Sequence, residues 1–263
     1  MGQYFIKVSI HISENLSLFK CRAKYVPDGN GGFKIANICS FGRPVFNPDS
    51  LETVDFKKKA DSLSEEPKDH AQNVHRATRR AREACFDYIL CNDLNIFATL
   101  TFNQEFVNRS SYKEVYQKLG NWCSNLVQRK DFKYVAVPEY HKDGENIHFH
   151  MLSTGDGLNL LKSGHMRQKK PVYNIDNWKW GFSTAQYVTG ENAREKCAKY
   201  IFKYMGKQMG QKIGGRYYLS GGALSRPQFV YADDPEELGD LSAALYHREV
   251  ETEGGLYREW SFL

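Results

Sequence analysis

Two short segments carry side chains whose types and spacing can do chemistry. The first is Ile147-His148-Phe149-His150-Met151. In a strand, residues two apart project to the same side, so His148 and His150 point together while Ile147, Phe149 and Met151 face a core. Two imidazoles on one face make half a metal site, although a H-x-H pair alone also fits surface or core histidines. The preceding residues offer a third ligand. A tight turn at Asp143-Gly144 pairs Lys142 with Glu145, and counting outward sets Glu139 opposite His148 on the same face. A slip of two residues would keep Glu139 on that face, and a slip of one would remove it. His141 shares its parity and is a reserve candidate. Two histidines and a carboxylate with open positions suit a divalent cation, Mn2+ or Mg2+, acting as a Lewis acid on a phosphate oxygen.

The second segment is Lys199-Tyr200-Ile201-Phe202-Lys203-Tyr204-Met205-Gly206-Lys207. On a helix, Tyr200, Lys203, Tyr204 and Lys207 fall within one arc of about 100°. Ala198, Ile201, Phe202, Met205 and Met209 form an apolar stripe on nearly the opposite side. Tyrosines at i and i+4 are ordinarily a buried face. Here the same face holds two lysines and a cleaner stripe supplies the core contact, so the tyrosines are expected to be exposed. A phenol, with an ordinary pKa of about 10, is a poor nucleophile at neutral pH. A neighbouring ammonium and a metal-bound phosphate favour the phenolate, and with it covalent phosphoryl transfer. Gly206 is where such a helix could end.

The elements that must position these groups follow in order. A strand over Ile96–Phe102 leads to a helix over Ser110–Arg129, with Ser110 or Ser111 and Glu114 as a capping box. Strands at Phe132–Tyr140 and Ile147–Ser153 follow, then an irregular stretch to about Thr189, a helix at Glu191–Met205 and a strand at Arg216–Leu219. This β-α-β-β-α-β order predicts an α+β protein of the ferredoxin-like (RRM-like) kind, an antiparallel sheet with helices on one face. Upstream, alternating segments at 4–10, 18–26 and 33–41 predict a β-rich N-terminal attachment, and 42–66 reads as linker. The expected organisation is an attachment with linker at 1–66, a main domain at 67–230 and an acidic tail at 231–263.

Charge supports that division. Residues 231–263 hold nine acidic and two basic side chains, a net of −7, so the overall +5 leaves +12 on residues 1–230. A basic body suits a polyanionic partner, which an acidic tail could rival for the same surface. Arg76, Arg79 and Arg80 ride on the polar faces of a helix predicted over about 68–90, and residues 191–216, with Lys196 and Lys199, carry seven basic side chains against two acidic. These are candidate phosphate contacts, though such a helix is equally a solvated surface. The six cysteines show no C-x-x-C pairing, so free thiols are expected and neither a zinc ribbon nor a redox motif is indicated. No apolar run could cross a bilayer and the N-terminus lacks an export signal, which points to a soluble, cytoplasmic protein without a membrane partner.

Three motifs in order, Phe97-Ala98-Thr99-Leu100-Thr101-Phe102, the run from Pro138 to His150, and Lys199-Tyr200-Ile201-Phe202-Lys203-Tyr204, resemble those of the HUH endonucleases, specifically the two-tyrosine rolling-circle replication initiators of single-stranded DNA phages and plasmids. The resemblance spans roughly residues 95–220. It implies a metal on His148 and His150 with Glu139 as third ligand. It also implies a tyrosine attacking single-stranded origin DNA to give a 5′-phosphotyrosine and a free 3′-hydroxyl, and a second tyrosine acting at termination, with Lys203 and Lys207 assisting. No G-x-x-x-x-G-K-[ST] occurs, so a host helicase would act in trans beside a polymerase. Two rival readings keep the residues but not the chemistry: a single-stranded nucleic-acid-binding module, and a metal-dependent hydrolase with structural tyrosines.

Overall fold

The computed structural model describes residues 21–41, 70–190, 196–198, 200–201, 212–252 and 255–263. Two compact units emerge, Val54–Pro227 and Met1–Thr53 joined to Gln228–Leu263. In the first, helix α1 (His70–Cys91) precedes β3 (Ile96–Thr101), α2 (Tyr112–Arg129), β4 (Tyr134–Tyr140), β5 (Ile147–Ser153), β6 (Leu160–Arg167), β7 (Lys170–Ile175), β8 (Ser183–Tyr187) and β9 (Leu219–Gly221). The strands form one seven-stranded sheet in the order β6-β7-β8-β3-β5-β4-β9, and every named pair in it is antiparallel.

The centre of this sheet is apolar on both sides. Ala136, Phe149, Met151, Ile96, Ala98 and Leu100 meet Val115, Leu119, Trp122, Cys123 and Leu126 of α2, residues spaced to fall on one helical stripe. On the opposite face, Val135, Val137 and Leu152 meet Cys85 and Ile89 of α1 and the helical residues Ala198 and Ile201. Helices therefore cover both faces, not the single face expected, because a strand such as Val135-Ala136-Val137 presents apolar side chains in both directions. No described helix is long and apolar enough to cross a membrane.

Strand order departs from the β-α-β-β-α-β expectation in two places. The stretch to Thr189, expected to be irregular, holds β6, β7 and β8, and β8 pairs with β3. The short strand after the second helical segment, β9, pairs with β4 at the other edge. The β6–β7 hairpin turns at Gln168 and Lys169, both with positive φ (51° and 60°). Such turns are ordinarily announced by Asn-Gly or Asp-Gly, so this one left no signal. At α2, Ser111 is the N-cap and its hydroxyl accepts from the Glu114 amide at 3.5 Å, while the Glu114 carboxylate accepts from the Asn108 amide at 3.1 Å.

The second unit is a five-stranded sheet in the order β10-β1-β2-β12-β11, built from β1 (Cys21–Pro27), β2 (Phe33–Phe41), β10 (Gln228–Ala232), β11 (Tyr246–Thr252) and β12 (Gly255–Ser261). Where an acidic tail was expected, residues 231–263 thus complete the sheet begun by the N-terminal hairpin. Along β11 Val250 alternates with Glu249 and Glu251, and Asp234 and Asp240 cap short 3-10 turns. The expected strand at 4–10 and the linker at 42–66 lie outside the described residues.

Candidate metal centre

β4 and β5 pair so that Glu139 stands opposite His148 and Val137 opposite His150. The register is the one that the turn residues impose. Asp143 accepts from the amides of Glu145 and Asn146 at 2.9 and 3.0 Å, and Gly144 takes a φ of 77°, open to glycine at little cost. Three atoms converge as a result. Glu139 Oε2 lies 3.0 Å from His148 Nε2 and 2.8 Å from His150 Nε2, and the two nitrogens are 3.1 Å apart. Both histidines are buried and the glutamate nearly so.

This triangle is a fit for a cation. Its edges of 2.8 to 3.1 Å are those that three mutually cis ligands present around an octahedral ion at about 2.1 Å. The donor set of two nitrogens and one carboxylate oxygen, with no thiolate, could hold a divalent metal ion. Burial, with the neighbouring His150 and His141, pushes the His148 pKa down from 6.5 to about 4, so its imidazole is neutral at pH 7, the form that binds metal. Thr99, paired with His150 on β3, sets its Oγ1 3.2 Å from His150 Nδ1. An Nδ1–H donated to that hydroxyl leaves the Nε2 lone pair facing the cluster, the usual duty of a ligand's outer partner. The sequence carries a trace of this: Thr99 is a polar residue at the sheet-face parity of His150 inside the apolar run Phe97–Phe102. His141 stacks edge-on against His148 with centroids 4.3 Å apart but supplies no atom to the cluster.

The helical residues beside the cluster have the orientation derived from their angular positions. Ala198 and Ile201 are fully buried, while Tyr200 is 38% exposed. Phe97 sits between Tyr200 and the histidines: its ring centroid is 5.5 Å from Tyr200, edge-on, and 6.0 Å from His150, stacked. Lys196 is exposed and lines a cavity with Tyr200. Tyr204, Lys203, Lys207 and Lys199 lie outside the described residues. Arg76, Arg79 and Arg80 are exposed on α1, where Arg79 makes an i,i+4 ion pair with Glu83 at 3.7 Å.

Residues 95–209 match the family described as Replication-associated protein ORF2/G2P. That stretch holds the whole histidine–glutamate cluster and the tyrosine segment. No curated protein and no solved structure matches the chain.

Proposed function

We propose that this chain initiates DNA replication by cutting and rejoining single-stranded origin DNA through a phosphotyrosine. The family match supports a role in replication and hence contact with DNA. The observation that carries the chemical reading is the placement of an exposed tyrosine one aromatic ring away from three convergent metal-ligating atoms.

In this reading Glu139, His148 and His150 hold a divalent cation. Such an ion, when bound, supplies Lewis-acid polarisation of a non-bridging phosphate oxygen. Tyr200 Oη attacks the phosphorus as its proton passes to solvent. The bond from phosphorus to the 3′ oxygen breaks, and that oxygen takes up a proton, leaving a 5′-phosphotyrosine and a free 3′-hydroxyl on which a polymerase in trans extends. Tyr204, four residues on in the sequence, takes the second cut. Lys203 and Lys207 neutralise charge at the phosphate. Unwinding of the duplex is left to a helicase in trans.

Incubation of the protein with a labelled single-stranded origin oligonucleotide and Mn2+ should leave an adduct that survives a denaturing gel. The Tyr200→Phe, Tyr204→Phe double variant should form none. Cleavage without an adduct would favour a hydrolase, and binding without cleavage a non-catalytic binding module. An adduct on the double variant would remove the tyrosines from the mechanism.

A further inference from the structure

A cleft of about 570 Å³, within the size range of sites that hold small ligands, is lined by Phe97 and Tyr200. Arg167, Lys170, Tyr187 and Lys196 are among its other walls. No carboxylate is among the described residues that line it. The hairpin on one side is itself basic: residues 157–175 include Lys162, Arg167, Lys169 and Lys170 and not one acidic side chain.

The cleft is built rather than incidental. Lys170 Nζ donates to the Thr189 carbonyl and hydroxyl at 3.1 and 3.0 Å, tying the hairpin to the segment before the tyrosine. Gln186 Nε2 donates to the Arg167 carbonyl at 3.2 Å, fixing the end of β6 against β8. The hairpin tip keeps two non-glycine residues in the left-handed region, conformations that persist only where surrounding contacts hold them and that cluster at ligand clamps. Tyr173 meets the Tyr187 ring edge-on at 5.5 Å, which steadies Tyr187 while leaving it 46% exposed.

We infer that this cleft seats an unpaired nucleotide of the DNA strand next to the phosphate that Tyr200 reaches. The base stacks on the Tyr187 ring, and the flanking phosphates lie against Arg167 and Lys196. This rests on the reading of Tyr200 as the nucleophile and names the substrate feature that the site selects. A stacking platform with cations beside it is the common means of holding single strands, and it cannot serve a base kept inside a duplex.

The test is fluorescence anisotropy with a labelled oligothymidylate of about a dozen nucleotides, in chelator so that no cut occurs. Tyr187→Ala should weaken binding about tenfold or more, and Tyr187→Phe, which keeps the ring, should stay within about twofold of wild type. Arg167→Ala should lower the slope of log affinity against log salt by about 0.7, the loss of one single-strand phosphate contact. Equal melting temperatures establish that each variant is folded, and Arg167, exposed on the hairpin, carries the test should Tyr187→Ala not fold. Wild-type affinity in both Tyr187→Ala and Arg167→Ala, or equal competition by duplex, would overturn the inference. Loss of single-strand affinity in these variants of a protein that forms no adduct at all would uphold the strand seat and reject the phosphotyrosine reading.

Discussion

Acidifying the metal-free protein should destabilise the Val54–Pro227 unit for a reason located at one imidazole. His148 has a pKa of about 4 in the fold, against an ordinary 6.5, because burial disfavours its charged form and His150 and His141 add to the effect. Above pH 6.5 the group is neutral in both states and costs nothing. As pH falls below 6.5 the unfolded chain takes up a proton that the folded chain refuses, and stability drops by about 1.4 kcal/mol per pH unit. The loss ends once pH passes the folded value, so the window from 6.5 to about 4 accounts for roughly 3 kcal/mol. That is a large part of the 5 to 15 kcal/mol typical of a whole domain, by about a fifth or more.

The assay is a series of urea transitions in chelator between pH 7.5 and 4, buffer values spanning roughly both ends of that window. Trp122, Trp178 and Trp180 lie in the Val54–Pro227 unit and Trp260 in the other, so fluorescence in a Trp260→Phe background reports the unit of interest. His148→Gln, which cannot titrate, is the control: subtracting its profile from wild type cancels the groups remote from the cluster and leaves His148 together with its contacts Glu139 and His150. The difference should fall by roughly 3 kcal/mol across the window. Mn2+ at about a hundred times its dissociation constant should add roughly 2.7 kcal/mol to wild type at neutral pH and little to the variant. Parallel pH profiles for the two proteins, or a His148 ring resonance that titrates near its ordinary value, would refute the reasoning.

Three further outcomes follow from the packing and hydrogen bonding. Thr99→Val keeps the shape of the side chain but removes the oxygen facing His150 Nδ1, and should weaken Mn2+ binding about 10- to 100-fold by electron spin resonance titration without loss of fold. Leu119→Ala, at a fully buried position of α2 against the sheet, should cost about 2–5 kcal/mol in urea unfolding. Gly222→Ala meets two obstacles at once, a φ of 89° and a Cβ that would clash with the Phe132 carbonyl oxygen, so it should lower the melting temperature by several degrees, more than about 1 kcal/mol in stability.

How much of this was legible in the sequence depended on whether the deciding interaction was local. The Glu139–His148 pairing could be counted from Asp143-Gly144 because a strand repeats every two residues and the turn residues fix where counting begins. The Ser111 cap and the burial of Ala198 and Ile201 opposite Tyr200 followed equally from short-range geometry. The hairpin at Gln168-Lys169 did not, because contacts elsewhere hold a turn that its own residues disfavour. Residues 231–263 misled for a different reason. Their acidic side chains lie around short 3-10 turns and on a hairpin whose partner strand, β2, lies some two hundred residues earlier, by the separation of Asn37 from Glu259. Composition reports the charges and is silent about a pairing so distant.

That difference bears on how the two halves of the site should respond to mutation. The candidate ligands sit on strands whose other residues, Tyr140 apart, are buried on both faces, so their spacing is set by a well-packed part of the molecule. Core substitutions should therefore reach metal affinity only through global stability. Tyr200 is held differently, by Phe97 and by a helical segment anchored at Ala198 and Ile201. A change at Phe97 touches both the ring stacked on His150 and the ring of Tyr200, and Phe97→Leu should reduce adduct formation more than Mn2+ affinity. If both fell together, the tyrosine and the metal cluster would share one support, and the separation of a rigid ligand set from an independently positioned nucleophile would be wrong.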